Sequence, residues 1–398
     1  MGTDSDVVDL LPTLADPAAL ARLRAAGPVH RAVLPGGVEL LLVVRHAEAL
    51  AALGDPRLSL ADSAALSAGG QLDPEIQAGM LNSLMASDPP DHTRLRKLVT
   101  SVFTARKVEA MRPWIGGLVE RLIDGFADRD EADLMGELAT PLPILVISEL
   151  LGIPEADRSR FRTWSNMMIS GMGTPDFPVA AAHEFLHYLR ELVDGKRKEP
   201  DDGLLTALIQ ARDAGEALSE DELTSTVFLL ILAGHDTTLS LIGSGLLLLL
   251  THPDQAERLR TDPQQLPRAV DEFLRLESPV PMSNFRHATE SFELGGTRIE
   301  AGETVAISLQ SASRDESAFS GADRLDTQRA EARHLAFGHG IHFCLGAQLA
   351  RLEGELAIGA MLRRFPQLAL AVPADSLAWR TGLFVHGPIE LPALLHAV

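Results

Sequence analysis

The apolar residues of this chain recur at helical spacing along most of its length, and the pattern predicts a protein built mainly of α-helices. Amphipathic stretches alternate with glycine, proline and short polar segments that end them. The predicted helices cover residues 16–27, 47–55, 91–103, 112–127, 141–152, 155–169, 179–198 and 263–279. A further long helix is predicted to begin near Ser219, whose hydroxyl can cap it, with acidic residues in the first turn.

A small β portion is predicted at two places. Residues 38–44 form an apolar run of strand length, and residues 292–309 contain short strands separated by turns at LGG and EAGE. Residues 56–83 and 170–178 are predicted to be loops, the first with short helical pieces. The chain has no internal repeat, low-complexity tract or clear linker, so we expect one domain over residues 1–398.

One segment, residues 227–250, is long and apolar enough to imitate a membrane-spanning helix. Its centre, however, carries His235, Asp236, Thr237 and Thr238. A charged side chain at the middle of a bilayer costs about 2.5–3.5 kcal/mol even on the most lenient scale. A helix that is apolar on all sides also occurs at the centre of large globular proteins, and we favour that interpretation.

The composition narrows the class of protein further. The net charge is −20, from 35 basic and 55 acidic residues, which argues against nucleic acid or an anionic membrane as the main partner. Hydrophobic residues make up 46% of the chain and are ample for a core. A single cysteine excludes an internal disulfide framework and suits a reducing cytoplasm. The acidic N-terminus leads us to expect neither a signal peptide nor an N-terminal anchor.

That single cysteine, Cys344, lies in the stretch HLAFGHGIHFCLGAQLAR, directly before a predicted amphipathic helix. The helix dipole and the open N–H groups of a first turn favour a thiolate there. The glycines before it allow a tight turn against a flat partner. Four interpretations follow from these residues: a buried structural cysteine, a nucleophile with His342 as its base, a zinc site with His339 and His342, and a haem thiolate.

Two further motifs carry candidate chemistry. Glu272 and Arg275 are three residues apart on one helix face, which is typical of a surface ion pair, but apolar neighbours indicate burial. In AGHDTT, at the centre of the apolar helix, an acid and two hydroxyls follow Gly234. Such a stretch can loosen the helix, admit water and relay protons, or it can simply pack a glycine and bond its hydroxyls locally.

Together, and in this order, these motifs resemble the cytochrome P450 family of haem-thiolate monooxygenases. FGHGIHFCLG is similar to the family's haem loop, Glu272 and Arg275 to its helix-K pair, and AGHDTT to its oxygen-activating groove. DPPDHTRLRKLV at residues 88–99 and SRDESAF at residues 313–319 also match, so the resemblance spans nearly the whole chain. It implies a single mainly α domain, with the haem between the long central helix and the helix after the cysteine.

The resemblance implies a role for each matching residue. Cys344 would ligate the iron of haem b, and Asp236 and Thr237 would guide protons to dioxygen. The other implied haem-binding residues are His92, Arg96, Arg286 and His342, which bind the propionates, together with Phe337, Gly338 and Ala233. Glu272, Arg275 and Arg329 would form a buried structural network. Bacterial members usually carry asparagine where Ser313 stands and an aromatic residue near Leu325, both in the scaffold around that network.

The implied activity is the insertion of one oxygen atom into a bulky hydrophobic secondary metabolite, such as a macrolide or another polyketide. A peroxide-driven peroxygenase is the nearest alternative, although such relatives lack the acid and alcohol pair. A haem sensor or carrier would not need a proton relay, and a thiol hydrolase would lack haem. Six of the ten methionines fall in segments that the resemblance places over the haem, and methionine suits irregular ligands. The candidate pocket residues are Met80, Leu84, Met85, Met167, Met168, Met172, Leu229, Ala233, Val280, Met282 and Phe384.

Electrons would come from NAD(P)H through a ferredoxin and its reductase. Residues 94–112 reverse the sign of the chain, with six basic residues and one acidic residue, a net charge of +5. A basic island on an acidic protein focuses the field where an acidic partner docks. The docking face is therefore predicted at Arg94, Lys97, Arg106, Lys107 and Arg112, with Arg333 and Arg351 beside the cysteine loop.

Overall fold

A computed structural model of the chain describes residues 7–61, 73–171, 178–213, 218–330 and 333–397. The chain divides into two compact units. The first comprises Met1–Ser59, Arg112–Leu142 and Thr237–Val398, and the second comprises Leu60–Met111 and Pro143–Asp236. The single domain over residues 1–398 remains a prediction, and each unit is described by itself.

Helices account for most of the described residues, as the periodicity predicts. In chain order they are α1 (Leu10–Ala15), α2 (Pro17–Ala26), α3 (His46–Gly54), α4 (Pro74–Ile76), α5 (Asp91–Val102), α6 (Ala105–Ala110), α7 (Arg112–Asp124), α8 (Pro141–Leu151), α9 (Arg158–Gly171), α10 (Val179–Lys198), α11 (Leu204–Asp213), α12 (Glu220–Thr251), α13 (Pro253–Thr261), α14 (Leu266–Leu276), α15 (Leu309–Ser313) and α16 (Ala347–Arg364). The eight bounded helix predictions are confirmed to within a few residues at their ends. Gly152 ends α8 in the left-handed conformation, with φ +64°, where glycine carries no Cβ penalty.

All strands of the described residues lie in the first unit. They are β1 (Val8–Asp9), β2 (Val29–Val33), β3 (Glu39–Val43), β4 (Leu58–Ser59), β5 (Glu131–Asp133), β6 (Arg286–Ala288), β7 (Phe292–Leu294), β8 (Thr297–Ile299), β9 (Thr304–Ile307), β10 (Ala369–Leu370), β11 (Trp379–Thr381), β12 (His386–Pro388) and β13 (Pro392–Leu394). Six form a sheet in the order β1-β2-β3-β9-β6-β4, in which β3 pairs parallel with β9 and antiparallel with β2.

The centre of this sheet explains why residues 38–44 read as a continuous apolar run. β3 lies between β2 and β9, and its last four residues are buried. Leu41 and Val43 belong to one core cluster with Val305 of β9, Ala52 of α3 and Leu335, which lies at the start of the cysteine loop (residues 334–346). The sheet and α3 thereby fix the position of one end of that loop.

The described part of the second unit is helical. Its core contains an aromatic cluster in which Trp164 of α9 stacks on Phe185 of α10, with ring centroids 5.5 Å apart. Phe228 of α12 meets the same Phe185 ring edge-on at 5.8 Å. Aromatic pairs in such geometries add about 0.5–1.5 kcal/mol beyond their buried area. This cluster packs α9, α10 and the first half of α12 together.

The long helix α12 begins as predicted. The Ser219 hydroxyl accepts from the Glu222 N–H at 3.1 Å, and the Glu222 carboxylate accepts from the Ser219 N–H at 2.8 Å, which is a capping box. Among the described residues, α12 is the one helix long and apolar enough to cross a membrane, and 67% of its most apolar window is buried inside the protein. That burial fits the core-helix interpretation.

Candidate functional site

The cysteine loop, residues 334–346, is a tight turn held by backbone hydrogen bonds. The Cys344 N–H donates to the Phe337 carbonyl at 2.9 Å, and the Gly338 N–H donates to the Leu335 carbonyl at 2.8 Å. Gly338 and Gly340 have φ +69° and +74°, a backbone region that other residues rarely adopt. A Cβ at Gly340 would also lie 3.1 Å from the Leu53 carbonyl oxygen. The glycines seen in the sequence are therefore required by this turn.

Cys344 is half-buried and lies three residues before the first residue of α16. Gly346 caps that helix, and a Cβ there would lie 4.0 Å from the Cys344 sulfur. The first-turn N–H groups and the positive end of an 18-residue helix face the region of the thiol. The predicted helix start after Cys344 is therefore present, and the thiolate itself remains a prediction.

The AGHDTT stretch does not interrupt α12, whose helical assignment is continuous from Glu220 to Thr251. His235 and Asp236 are buried, with 0% and 3% of their surface exposed, and Thr237 is half-buried. His235 Nε2 lies 3.5 Å from Asp236 Oδ1, and His235 Nδ1 lies 3.1 Å from the Ile231 carbonyl. Sequence reasoning assigned His235 no role of its own. Its position between Gly234 and the candidate acid Asp236 was the sequence feature that could have indicated a contact with that acid.

The residues predicted to bind propionates are distributed over both units. In the second unit, His92 is buried in the first turn of α5, and Arg96 follows one turn later. Burial and the nearby charge of Arg96 lower the pKa of His92, which favours a neutral imidazole. In the first unit, Arg286 is buried at the start of β6, where its Nη1 lies 3.4 Å from the Leu58 carbonyl, and His342 is half-buried in the cysteine loop.

One part of α12 in the second unit is less buried than the rest of the helix. Ala233 is exposed, and Leu229, Leu230, Leu232 and Gly234 are half-buried, within a helix that is otherwise mostly buried. The second unit offers this apolar strip with the donors His92 and Arg96, and the first unit offers a half-buried thiol at a helix start with the donors Arg286 and His342. These are the residue types that a haem requires: apolar contact, an iron ligand and partners for two carboxylates. The donor set therefore fits the cofactor that the resemblance implies.

Glu272, Arg275 and Arg329 are brought together in the first unit. Arg275 donates from Nε and Nη2 to the two Glu272 oxygens at 2.7 and 2.9 Å, and both side chains are almost wholly buried. Its Nη1 donates to the carbonyls of Ser313 and Ala322 at 3.0 and 2.6 Å. Arg329 Nε donates to Glu272 at 3.0 Å. Glu272, Ser313 and Ala322 are all buried, so the pair of Glu272 and Arg275 lies in the core and is not a surface ion pair.

The two departures from the family pattern are accommodated around this network. Ser313 offers its carbonyl to Arg275, and its hydroxyl accepts from the Leu335 N–H at 3.1 Å. Leu325 is buried, with 3% of its surface exposed. Arg329 keeps its contact with Glu272 in the presence of both residues.

The predicted pocket residues differ in burial. Met80, Leu84, Met168 and Met282 are buried, whereas Met85 and Met167 are 37% and 42% exposed. Val280 is half-buried against the sheet core, and the half-buried Phe384 packs edge-on against Phe285 at 6.0 Å. Met172 lies outside the described residues. A common pocket formed by these side chains remains a prediction.

The charge of the predicted docking face is less uniformly positive than the sequence indicates, because some of its basic residues pair with acidic ones. Arg94 pairs with Glu222 at the start of α12 and with Asp91, and Arg112 pairs with Glu355 at 2.7 Å. Lys97, Arg106 and Lys107 are exposed. Arg351, assigned from sequence to the same face, instead donates to Asp271 at 2.7 Å and covers Phe337.

A further buried acid, Glu353, was missed by sequence reasoning. It lies on α16, beside Gly354, whose Cβ position is 3.1 Å from Leu241 of α12. Burial raises the pKa of Glu353 well above its ordinary value and favours the protonated form. Within the described part of the chain, its Oε2 has no hydrogen-bond partner.

Comparisons with known proteins agree with these features. The family model described as Cytochrome P450 matches residues 166–377. Cytochrome P450 107B1 of Saccharopolyspora erythraea is 45% identical, and the alignment covers 94% of this chain and 93% of that protein. The 6-deoxyerythronolide B hydroxylase of the same species is 42% identical over 94% and 95% of the two chains. The solved structure of the Bacillus subtilis bacillaene polyketide synthase cytochrome P450 PksS is 40% identical, with a TM-score of 0.89 over 96% of each chain.

Proposed function

Since this chain belongs to the cytochrome P450 family of haem-thiolate monooxygenases, we propose that it hydroxylates or epoxidises a bulky hydrophobic secondary metabolite of the polyketide class, with Cys344 as its iron ligand. The observation that carries the assignment of Cys344 is its position in the cysteine loop. The only thiol of the chain follows two glycines with left-handed backbone and precedes the first turn of α16.

The chain's own residues have four tasks in this reaction. A haem bound through a thiolate would supply the activation of dioxygen, because the sulfur would donate electron density that favours O–O cleavage. Cys344 provides that sulfur, and the helix dipole of α16 stabilises its charge. His92, Arg96, Arg286 and His342 would donate hydrogen bonds to the propionates of the bound haem and orient it. Ala233 provides a small apolar contact that leaves room for a flat partner.

Asp236 and Thr237 perform the fourth task, which is the delivery of protons. A threonine hydroxyl both donates and accepts, so Thr237 can hold a water molecule in the site. The Asp236 carboxyl can pass protons to that water, and its burial beside His235 restricts its orientation. A sensor or carrier needs no such relay, and a peroxide-driven enzyme receives its protons with the oxidant.

We expect Thr237→Ala to bind substrate normally but to divert electrons into hydrogen peroxide. Asp236→Asn should slow turnover by about 10²-fold, a typical cost of losing a proton-transfer group. The measurement is the ratio of product and peroxide to NAD(P)H consumed. Thr224→Ala is the matched control, because Thr224 is a buried threonine of the same helix that bonds to the Glu220 carbonyl. Unchanged coupling in both site variants would contradict the proposed relay.

The substrate class rests on the relatives and on the predicted pocket residues. One similar protein is named a 6-deoxyerythronolide B hydroxylase, and another is named a cytochrome P450 of the bacillaene polyketide synthase. The buried methionines Met80, Met168 and Met282 have flexible, polarisable side chains that adapt to irregular apolar ligands. We therefore place macrolides and other polyketides first among the candidate substrates.

The proposed function is tested by a binding screen followed by turnover. A panel of polyketides, terpenoids and fatty acids is added to the ferric protein, and displacement of the water ligand is read by absorbance. Compounds that bind are then incubated with NAD(P)H, a ferredoxin and a ferredoxin reductase. A polyketide that gains one oxygen atom supports the proposal. Turnover confined to another class would overturn the substrate assignment.

We propose that an acidic ferredoxin docks on the exposed basic residues Lys97, Arg106 and Lys107 in the cytoplasm. Arg94 and Arg112 extend this basic face, but each is also neutralised by an acidic neighbour. Exposed charges steer association strongly at low salt and are screened beyond about 8 Å at physiological ionic strength. Lys97, Lys107 and Arg106 therefore make the main contribution of this face to the electrostatic steering of the ferredoxin.

Reversing Lys97 and Lys107 to glutamate should slow reduction by an acidic ferredoxin about tenfold at low salt. The difference from wild type should shrink as salt rises, and substrate affinity should not change. The rate is measured by stopped-flow absorbance of the haem. The control reverses Lys198 and Arg298, which are exposed basic residues elsewhere on the chain. Equal effects of the two double variants would place the docking site elsewhere.

A further inference from the structure

We propose that Arg351 is a positioning residue that raises the reduction potential of the haem by acting on Phe337 of the cysteine loop. Asp271 and His334 hold Arg351 in place. The inference rests on the proposed function, because it requires Cys344 to be the iron ligand. It concerns a residue that sequence reasoning assigned only to the docking face.

The first step is the contact between Arg351 and Phe337. The guanidinium carbon lies 4.6 Å from the centre of the Phe337 ring, within the range of a cation–π interaction. Phe337 is 9% exposed, and the Arg351 side chain is 27% exposed. Such contacts contribute about 0.5–1 kcal/mol at exposed sites and about 2 kcal/mol when desolvated. Arg351 therefore covers one face of the Phe337 ring and restrains it.

The second step connects Phe337 to the thiol. The carbonyl of Phe337 accepts the hydrogen bond from the Cys344 N–H at 2.9 Å. Gly338, which follows Phe337, has a fixed left-handed backbone, and the Phe343 ring lies 6.2 Å from the Phe337 ring. The position of Phe337 and the backbone at Cys344 are therefore parts of one turn.

The third step is the anchor behind Arg351. Asp271 of α14 accepts from Arg351 Nε at 2.7 Å and contacts His334 Nε2 at 3.3 Å. The Ala336 N–H donates to His334 Nδ1 at 3.2 Å, so the ring proton lies on Nε2 and is donated to Asp271. Burial alone would raise the pKa of Asp271, but the hydrogen bonds from His334 and Arg351 and the charge of Arg351 lower it overall.

The direction of the effect follows from electrostatics. Reduction adds an electron to the haem, and the Arg351 guanidinium neutralises the half-buried Asp271 carboxylate. Without the guanidinium, the unpaired negative charge of Asp271 disfavours the reduced state, and in a half-buried site this repulsion is screened less than at the surface. The guanidinium also holds the Phe337 ring, and the Phe337 carbonyl accepts the Cys344 N–H, so loss of Arg351 also loosens the turn that holds the sulfur. Loss of the guanidinium should make the haem harder to reduce.

The test is the ferric/ferrous potential of the substrate-free holoenzyme, measured by spectroelectrochemical titration. Arg351→Gln should lower the reduction equilibrium constant by up to tenfold, which is about 59 mV for one electron. Arg351→Lys keeps the charge but loses the planar group, so most of the shift should remain if the ring contact matters. Arg363→Gln is the control, since it removes an ion-paired arginine of the same helix, bonded to Glu120. It should leave the potential unchanged.

A double-mutant cycle separates action through Phe337 from a general charge effect. In the Phe337→Leu background, Arg351→Gln should shift the potential by less than a third of its effect in wild type. Equal shifts in the two backgrounds, or an equal shift from Arg363→Gln, would overturn the inference. A wild-type protein without thiolate-type absorbance would instead overturn the proposed function. A normal spectrum with an unmoved potential would overturn this inference alone.

Discussion

Cys344→Ser is expected to abolish the thiolate-type absorbance of the reduced carbon monoxide complex and, with it, all monooxygenase turnover. Serine is nearly isosteric with cysteine, so the backbone turn through Phe337, Gly338 and Gly340 should persist. A thiol at a helix start ionises near neutral pH, whereas a hydroxyl there stays protonated and donates little electron density. The change therefore removes the ligand and keeps the loop.

The spectrum is recorded on purified protein reconstituted with haem, beside a circular dichroism spectrum that checks the fold. Phe343→Leu is a suitable control, because Phe343 is an exposed neighbour in the same loop and should retain the thiolate signature. Survival of that signature in Cys344→Ser would show that Cys344 is not the ligand. A haem that binds with an imidazole-type spectrum would direct attention to His339 and His342.

The features that depend only on neighbouring residues could be predicted from the sequence. The helix over residues 179–198, the capping role of Ser219 and the glycine turns at Gly295 and Gly302 all follow from spacing and backbone preference. The loop before Cys344 belongs to the same class, since paired glycines directly before a helix indicate a tight turn. These features need no knowledge of distant contacts.

The predictions of features that depend on distant contacts were incomplete. The sequence predicts β3, but its partner β9 lies more than 260 residues away, and no local rule specifies that pairing or the six-strand order. The basic residues of the docking face were judged by charge alone. Three of them have acidic partners on other helices: Arg94 with Glu222, Arg112 with Glu355 and Arg351 with Asp271.

Burial also separates ion pairs that look alike in the sequence. Glu272 and Arg275 have i, i+3 spacing on α14, and Glu257 and Arg260 have the same spacing on α13. The first pair has side-chain exposures of 2% and 1%, and the second has 65% and 20%. The apolar neighbours of Arg275 indicated burial, but the backbone carbonyls that it binds come from the segment 313–324, which spacing cannot identify.

Arg275→Lys and Glu272→Gln are expected to destabilise the protein strongly and to reduce its haem content. Arg275 uses three nitrogens to bind Glu272 and the carbonyls of Ser313, Ala322 and Arg324. A lysine cannot reproduce this planar fork, and a glutamine at 272 would leave two buried guanidinium groups, Arg275 and Arg329, without their shared counter-charge. Removing one partner of a buried pair typically costs about 3–5 kcal/mol. Since native proteins are stable by only about 5–15 kcal/mol, such a loss approaches the limit of folding.

The measurement is the urea midpoint of unfolding, together with the ratio of haem to protein absorbance after purification. Glu257→Gln serves as the matched control, because Glu257 is paired at the same spacing but is 65% exposed, and this change should cost about 0–1 kcal/mol. If the control lost as much stability as the Glu272 and Arg275 variants, the buried network would not stabilise the fold more than a surface ion pair does. If Arg275→Lys lost activity at full haem content and unchanged midpoint, the residue would act in the reaction and not in the scaffold. We expect neither result, because four of the five hydrogen bonds of Arg275 are buried, and their acceptors have no access to water as a substitute partner.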